Sequence, residues 1–355
     1  MWPYFALLVL ATLGILSSDS GRRWEPLAWL TFGVLLAALI GFRYRVGGDW
    51  GFEHNLFWRI QGLSFVDALT QADPGFAFIG WLVADSGLNV WTLNLVCGAI
   101  FTIGLLSFCR TLPDPWLAVA VAIPYLVIVV AMGYSRQSVA IGFFLLALVK
   151  LQAGFFFRFL VFMALACSMH ITAALLVPIC ILASRRRKFK SLVFGIAASL
   201  GLFIYFLQGS VDSFVDGYIE ARYESSGALI RILMNALPSA LFLLNRSRMV
   251  LDPDTSRLWS VFSLIGLAFV VLLAVSPSST AVDRMALYFI PVQLFVWSRL
   301  PLALARSPAQ QRDLTLGVVV YSACVLFVWL NYADSSYSWI PFQLFPYESL
   351  WGVSD

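Results

Sequence analysis

The stretch FFFRFLVFMALACSMHITAALLVPICILAS, residues 155–184, decides how this chain is threaded. Read as one helix, it exceeds the roughly 20 residues a bilayer crossing needs. Read as two, broken near Ser168–His170, each half is short. The basic run RRRKFK at 185–190 arbitrates, because loops rich in Lys and Arg stay on the cytoplasmic side. Two segments keep RRRKFK with the other basic loops, whereas one span would place it outside. Two segments are therefore expected, with His170 near the outer membrane face.

Working outward, apolar segments recur near 3–17, 25–41, 88–108, 115–133, 138–150, 155–167, 170–183, 191–207, 229–244, 258–275, 285–298 and 313–331. That is about twelve crossings, with both termini external. The loops holding Arg22, Arg23, Arg110, Arg246, Arg248 and all the lysines (Lys150, Lys188, Lys190) are then cytoplasmic. Only Arg43, Arg45, Arg59, Arg136, Arg222, Arg231 and Arg284 lie outside, with most of the acids. Of the 355 residues 61% are hydrophobic and 12% charged, and mean hydropathy is +0.86. Soluble domains carry about twice that charge. Without period-2 alternation, helices are favoured over a barrel. The reading is all-α: one polytopic transmembrane domain over 1–355, with external segments near 42–87, 208–228 and 332–355. Within the first of these, 52–66 (FEHNLFWRIQGLSFV) suits a helix lying at the interface. The opening PYFALLVLATLGIL has a signal-peptide length but no basic n-region or A-x-A site, so it reads as a retained helix. Five scattered cysteines with no CxxC read as small buried hydrophobes.

Few arginines lie outside, and each adjoins an apolar segment: FRYRVGGDW (42–50), GYSRQSV (133–139), YIEARYESS (218–226) and TAVDRMALYF (280–289). A guanidinium stays charged and its forked donors match phosphate oxygens. Arginines that merely snorkel to headgroups are the plainer alternative. Gly47 and Gly48 permit unusual backbone and close approach of a ligand, or simply make a turn. His170 is an ionisable group at a membrane boundary, which is a functional candidate by default; a packing histidine is the alternative. His54, beside Glu53, reads as an interfacial side chain. Asp49, Glu53 and Asp283 are alternative bases, and Asp283–Arg284 doubles as a local ion pair. Trp50, Phe52, Trp58 and Trp339 either stack on sugars or form the aromatic belt. No P-loop, G-x-S-x-G or HExxH occurs, and no external acid pair suits a metal with a nucleotide sugar. The basic residues follow topology, so no nucleic-acid partner is expected.

In order and spacing, these motifs match a known family: FRYRVGGDW with Glu53, DPGFAFIGWL (73–82), GYSRQSVAIGFFLLAL (133–148), SMHITAALLVP (168–178), DRMALYFIPVQL (283–294) and WIPFQLFPY (339–347). The chain resembles the EpsG-like group of Wzy-type polymerases of exopolysaccharide, capsule and O-antigen synthesis. Its external loop at 208–228 is shorter than in many relatives. The resemblance implies a GT-C-like fold in the bacterial inner membrane, with the active site facing the periplasm. It implies transfer of undecaprenyl-diphosphate-linked glycan onto the non-reducing end of a lipid-linked acceptor unit, with no cofactor and no metal. Membrane lipids and a chain-length co-polymerase are the implied partners. On that chemistry Arg43, Arg45, Arg136, Arg222, Arg284 and Tyr288 would bind diphosphate. His170, Asp49, Glu53 or Asp283 would act as base, and Trp50 and Trp58 would meet glycan. A WaaL-like ligase is the nearest alternative. A flippase would show mid-helix charge pairs and internal symmetry, and the chain has no repeat.

Overall fold

A computed structural model describes residues 1–17, 25–183, 201 and 225–345. Those residues are mainly helical, with no strand among them and a single isolated bridge between Arg43 and Leu344. The helices pack as two compact units, one of Met1–Val149, Phe157–His170 and Val319–Asp355, the other of Lys150–Phe156 and Ile171–Val318.

Numbered among the described residues, the first unit is built on α1 (Trp2–Ser17), α2 (Glu25–Gly41), α3 (Trp50–Ile60), α4 (Phe65–Leu69), α5 (Pro74–Asp85), α6 (Val90–Cys109), α7 (Pro115–Ala122), α8 (Ser135–Gln152) and α9 (Phe156–Met169). α7 runs into a π-helical stretch, Ile123–Ala131, in which every residue is buried. Trp339 plugs against this stretch: its Nε1 donates to Ile128 O at 2.7 Å, and its ring fills the space a side chain on Gly133 would need. Tyr4 Oη donates to Trp339 O at 2.6 Å, so the first helix and the carboxyl-terminal segment close on one another. The sequence reading left Trp339 open as a sugar-stacking residue; at 1% exposure it is a core side chain. α6 and α8 touch backbone to backbone, because Gly104 and Gly142 each face the other helix where a Cβ would collide. Small residues at such crossings replace the hydrophobic drive that lipid removes.

The second unit holds α10 (Leu176–Ala183), the hairpin of α11 (Ala228–Asn245) and α12 (Pro253–Val275), then α13 (Ser279–Ala286), α14 (Pro291–Trp297) and α15 (Leu300–Leu304); α16 (Pro308–Tyr332) runs from it into the first. Trp259 stacks on Phe295 at 4.1 Å between centroids. Buried polar groups pair within the unit: Gln293 Nε2 donates to Asn235 Oδ1 at 2.7 Å, and Asn235 Nδ2 donates to Ala286 O at 2.8 Å. Asp252 starts α12 by accepting from the amides of Asp254 and Thr255, with Pro253 at the first helical position.

Among the described residues four helices are long and apolar enough to cross a bilayer, namely α6, α11, α12 and α16, and a fifth counts if the pair Ser279–Phe289 and Pro291–Leu304, bent by 44°, is one span. Six further apolar helices are shorter. Large apolar side chains face outward along them, as Val271 at 66% and Val275 at 72% exposure do on α12. This is an all-α, membrane-embedded protein. The chain breaks at His170, between α9 and a 3-10 turn at Ile171–Leu175, as the 155–184 reading expected. The expected interfacial helix is split into α3 and α4. The helix α5 lies within and just beyond DPGFAFIGWL, outside the apolar segments expected from hydropathy. The expected crossing at 191–207, residue 201 apart, the RRRKFK loop and Arg222 lie outside the described residues.

Candidate functional site

In the first unit the starts of α3, α5 and α8 meet the end of α9. Arg43 follows α2 and turns inward to 1% exposure. Its Nε donates to Val46 O at 3.2 Å and its Nη1 to Ile40 O at 2.7 Å. Its Nη2 reaches Glu53 Oε2 at 2.9 Å and Ser135 Oγ at 2.6 Å. The other Glu53 oxygen accepts from Ser135 N at 3.2 Å. An amide at a helix start has no partner within its own helix, so Glu53 caps α8 from a distant element and suits its dipole. Burial pushes the Glu53 carboxyl up, against the opposing pull of the Arg43 guanidinium and the Ser135 donors. These two residues were expected to bind diphosphate and to act as base. In the structure they are buried against one another, as a strut that fixes the start of α8 on α3.

That strut positions Arg136, the next residue of α8. Its Cζ lies 4.8 Å from the centre of the Phe52 ring. Its Nη1 donates to Asp73 Oδ2 at 3.0 Å, and 28% of the side chain is exposed. The same Asp73 oxygen lies 3.5 Å from His170 Nδ1. Gly75 makes this approach possible: a Cβ there would overlap Ser168 and meet Met169 Cε at 2.8 Å. Three of the expected motifs thus come together as Asp73–Arg136–His170. Asp73 was not singled out from the sequence. It occupies the N-cap of α5 but makes no capping bond.

FRYRVGGDW forms the adjoining wall. Gly47, at φ +107°, has its missing Cβ directed at Met132 O, so the close approach foreseen there is made by the chain's own backbone. Arg45 is exposed, takes φ +49° and lies 5.2 Å over the Tyr44 ring. A left-handed backbone is uncommon for a side chain of that size. Asp49 is half-buried at the start of α3, with its N–H on Gly133 O at 3.1 Å. Trp50 stacks on Trp91 at 5.1 Å, and Trp91 on Phe345 at 4.5 Å. Trp58, 59% exposed, donates from Nε1 to His54 Nε2 at 2.8 Å. The two tryptophans expected to meet glycan therefore belong to one aromatic row along α3.

The second unit carries its own charged cluster. Arg231 grips Asp283 with two nitrogens, Nε to Oδ1 at 2.9 Å and Nη2 to Oδ2 at 2.8 Å. Ser225 Oγ donates to Asp283 Oδ2 at 3.0 Å. Asp283 was expected to pair with Arg284 or to act as base; the structure shows it bonded to Arg231 and Ser225. Arg284 is half-buried in the last turn of α13. Tyr288 is 2% exposed, with its hydroxyl 3.1 Å from Thr172 Oγ1. Both line an apolar cavity of about 550 Å³ with Leu176, Ile265, Phe269 and Phe289. Among the described residues no group of three His, Cys, Asp or Glu side chains is placed to hold a metal ion.

No curated protein and no solved structure matches the chain. The EpsG family matches residues 27–349. That span takes in all the clusters above, from Arg43 to Phe345. The chain belongs to the EpsG family, membrane-embedded proteins of the glycosyltransferase-like polysaccharide-polymerase type.

Proposed function

We propose that this protein polymerises a bacterial polysaccharide at the periplasmic face of the inner membrane, moving glycan from a lipid diphosphate onto the non-reducing end of a lipid-linked acceptor unit. The Asp73–Arg136–His170 cluster carries the reading, because it sets a fixed cation beside an imidazole. In this scheme the acceptor hydroxyl oxygen bonds to the donor's anomeric carbon. The bond from that carbon to the phosphate oxygen breaks, and the lipid diphosphate leaves with the electron pair. The hydroxyl proton passes to His170. The leaving group's charge falls to Arg136, which holds it without reorganisation at the moment of reaction. Exposed Arg45 is a second phosphate ligand; Trp58, 59% exposed, offers a face to a sugar ring, and Trp50, stacked on Trp91, would meet glycan at its edge. In the second unit Arg284 is carried as a phosphate ligand on the sequence alone.

Purified protein in nanodiscs, given undecaprenyl-diphosphate-linked repeat units and a chelator, should yield a ladder spaced by one unit on a gel. Arg136→Ala should abolish the ladder at equal protein level. A glycan appearing on a new acceptor, with no ladder, would replace polymerase by ligase. Full polymer length from Arg136→Ala would remove that arginine's role.

A further inference from the structure

Asp73 stands where aspartate ordinarily caps a helix, directly before Pro74 and α5, yet its side chain makes no capping bond. The carboxylate turns away toward Arg136 Nη1, at 3.0 Å, and His170 Nδ1, at 3.5 Å. His170 Nδ1 is buried and has no hydrogen-bond partner. We propose that Asp73 is a positioning residue for glycosyl transfer, holding the His170 ring with its proton on Nδ1 so that Nε2 presents the lone pair to the acceptor hydroxyl. This rests on the reading of His170 as the base.

The chemistry follows from the two ring nitrogens. Neutral imidazole carries one proton, and its partner decides which nitrogen holds it. A carboxylate oxygen beside Nδ1 draws the proton there and leaves Nε2 as acceptor. The separation of 3.5 Å exceeds that of a well-made N–H···O bond. Catalytic contacts often tighten only when substrate is bound. When Nε2 takes the hydroxyl proton, the ring becomes a cation facing an anion, and the contact becomes a charge-assisted bond. The Arg136 guanidinium on the same oxygen makes the carboxylate a poor place for that proton, so it goes to the ring. Glu53 is sealed against Arg43 and Ser135, whereas Asp73 is the carboxylate that faces His170.

The test is a set of initial rates from full-length protein in nanodiscs, with lipid-linked repeat units as donor and acceptor. Asp73→Asn keeps the size but offers an amide N–H to Nδ1, which favours the wrong tautomer. Its kcat should fall on the order of 10²- to 10⁴-fold, the range for loss of a general base, with KM within about twofold. Asp73→Ser is the second variant, because serine caps a helix start well and keeps α5 folded while removing the carboxylate. It should lose kcat to a similar degree. Placed on a His170→Gln background, Asp73→Asn should cost nothing further. Normal kcat in Asp73→Ser, or losses that multiply in the double variant, would overturn the positioning role while leaving His170 as base. Turnover in His170→Gln equal to the parent's would remove the base and this inference together.

Discussion

Replacing Glu53 by alanine removes one half of a buried ion pair and leaves the other half charged. Arg43 is 1% exposed, so its charge stays out of water. The substitution deletes the bond from Arg43 Nη2 and leaves the Ser135 amide at the start of α8 without its acceptor. Hydrogen bonds to charged groups contribute about 1.5–3 kcal/mol each. Two of them agree with the 3–5 kcal/mol typical of breaking a buried pair from one side. At roughly 2 °C per kcal/mol for a chain of this size, the apparent Tm should fall by about 6–10 °C. Heating detergent-solubilised protein and following the monodisperse peak by size exclusion gives that number. The double variant Arg43→Met/Glu53→Leu removes the stranded charge and should recover part of the loss, the Ser135 amide remaining without its acceptor. Burial opposes the carboxylate's charge strongly enough to push its pKa up even beside the guanidinium, so the intact pair yields little net stability over an apolar one. Its role is to hold Ser135, and through it Arg136, against α3. The double variant is therefore expected to fold and yet polymerise more slowly. A Glu53→Ala protein that melts within about 2 °C of the parent would refute the strut, as would a double variant less stable than either single one.

Two more outcomes follow from contacts at the clusters. Gly75→Ala places a Cβ against Ser168 and Met169 and should cost about 1–3 kcal/mol by overpacking. It should also lower turnover about tenfold by drawing Asp73 from His170, whereas Gly51→Ala, with open space around it, should leave both ladder and melting unchanged. Arg231→Ala leaves Asp283, 8% exposed, without its cation and should destabilise by about 3–5 kcal/mol; Arg231→Lys should regain only part of this, since an ammonium cannot reproduce the two-nitrogen grip, and the same melting assay reads both.

Regular segments were legible in the sequence because hydropathy is a local quantity. The run 25–41 ends where α2 ends, and the break in 155–184 falls at His170, where the basic loop that follows demanded it. The long-range polar contacts were not legible, because each joins residues that only the fold brings together: Arg43 with the Ser135 hydroxyl, Asp73 with Arg136 and His170, Arg231 with Asp283. Adjacent charges drew the reading toward Asp283–Arg284, yet neighbours on a helix point about 100° apart and do not face each other. The π-helical stretch had no herald beyond Pro124, whose missing N–H loosens the ladder there. Asp73 is the instructive case. D-P-G reads as a helix start, and it is one, but the residue best suited to cap α5 gives its carboxylate to two distant side chains instead. Local preference points one way and the packed site another. Where they part, a local stabilising contact has been given up, and natural sequences keep such conflicts mainly where function requires them. That reasoning picks out Asp73, rather than the better buried and better paired Glu53, as the acid to mutate for chemistry.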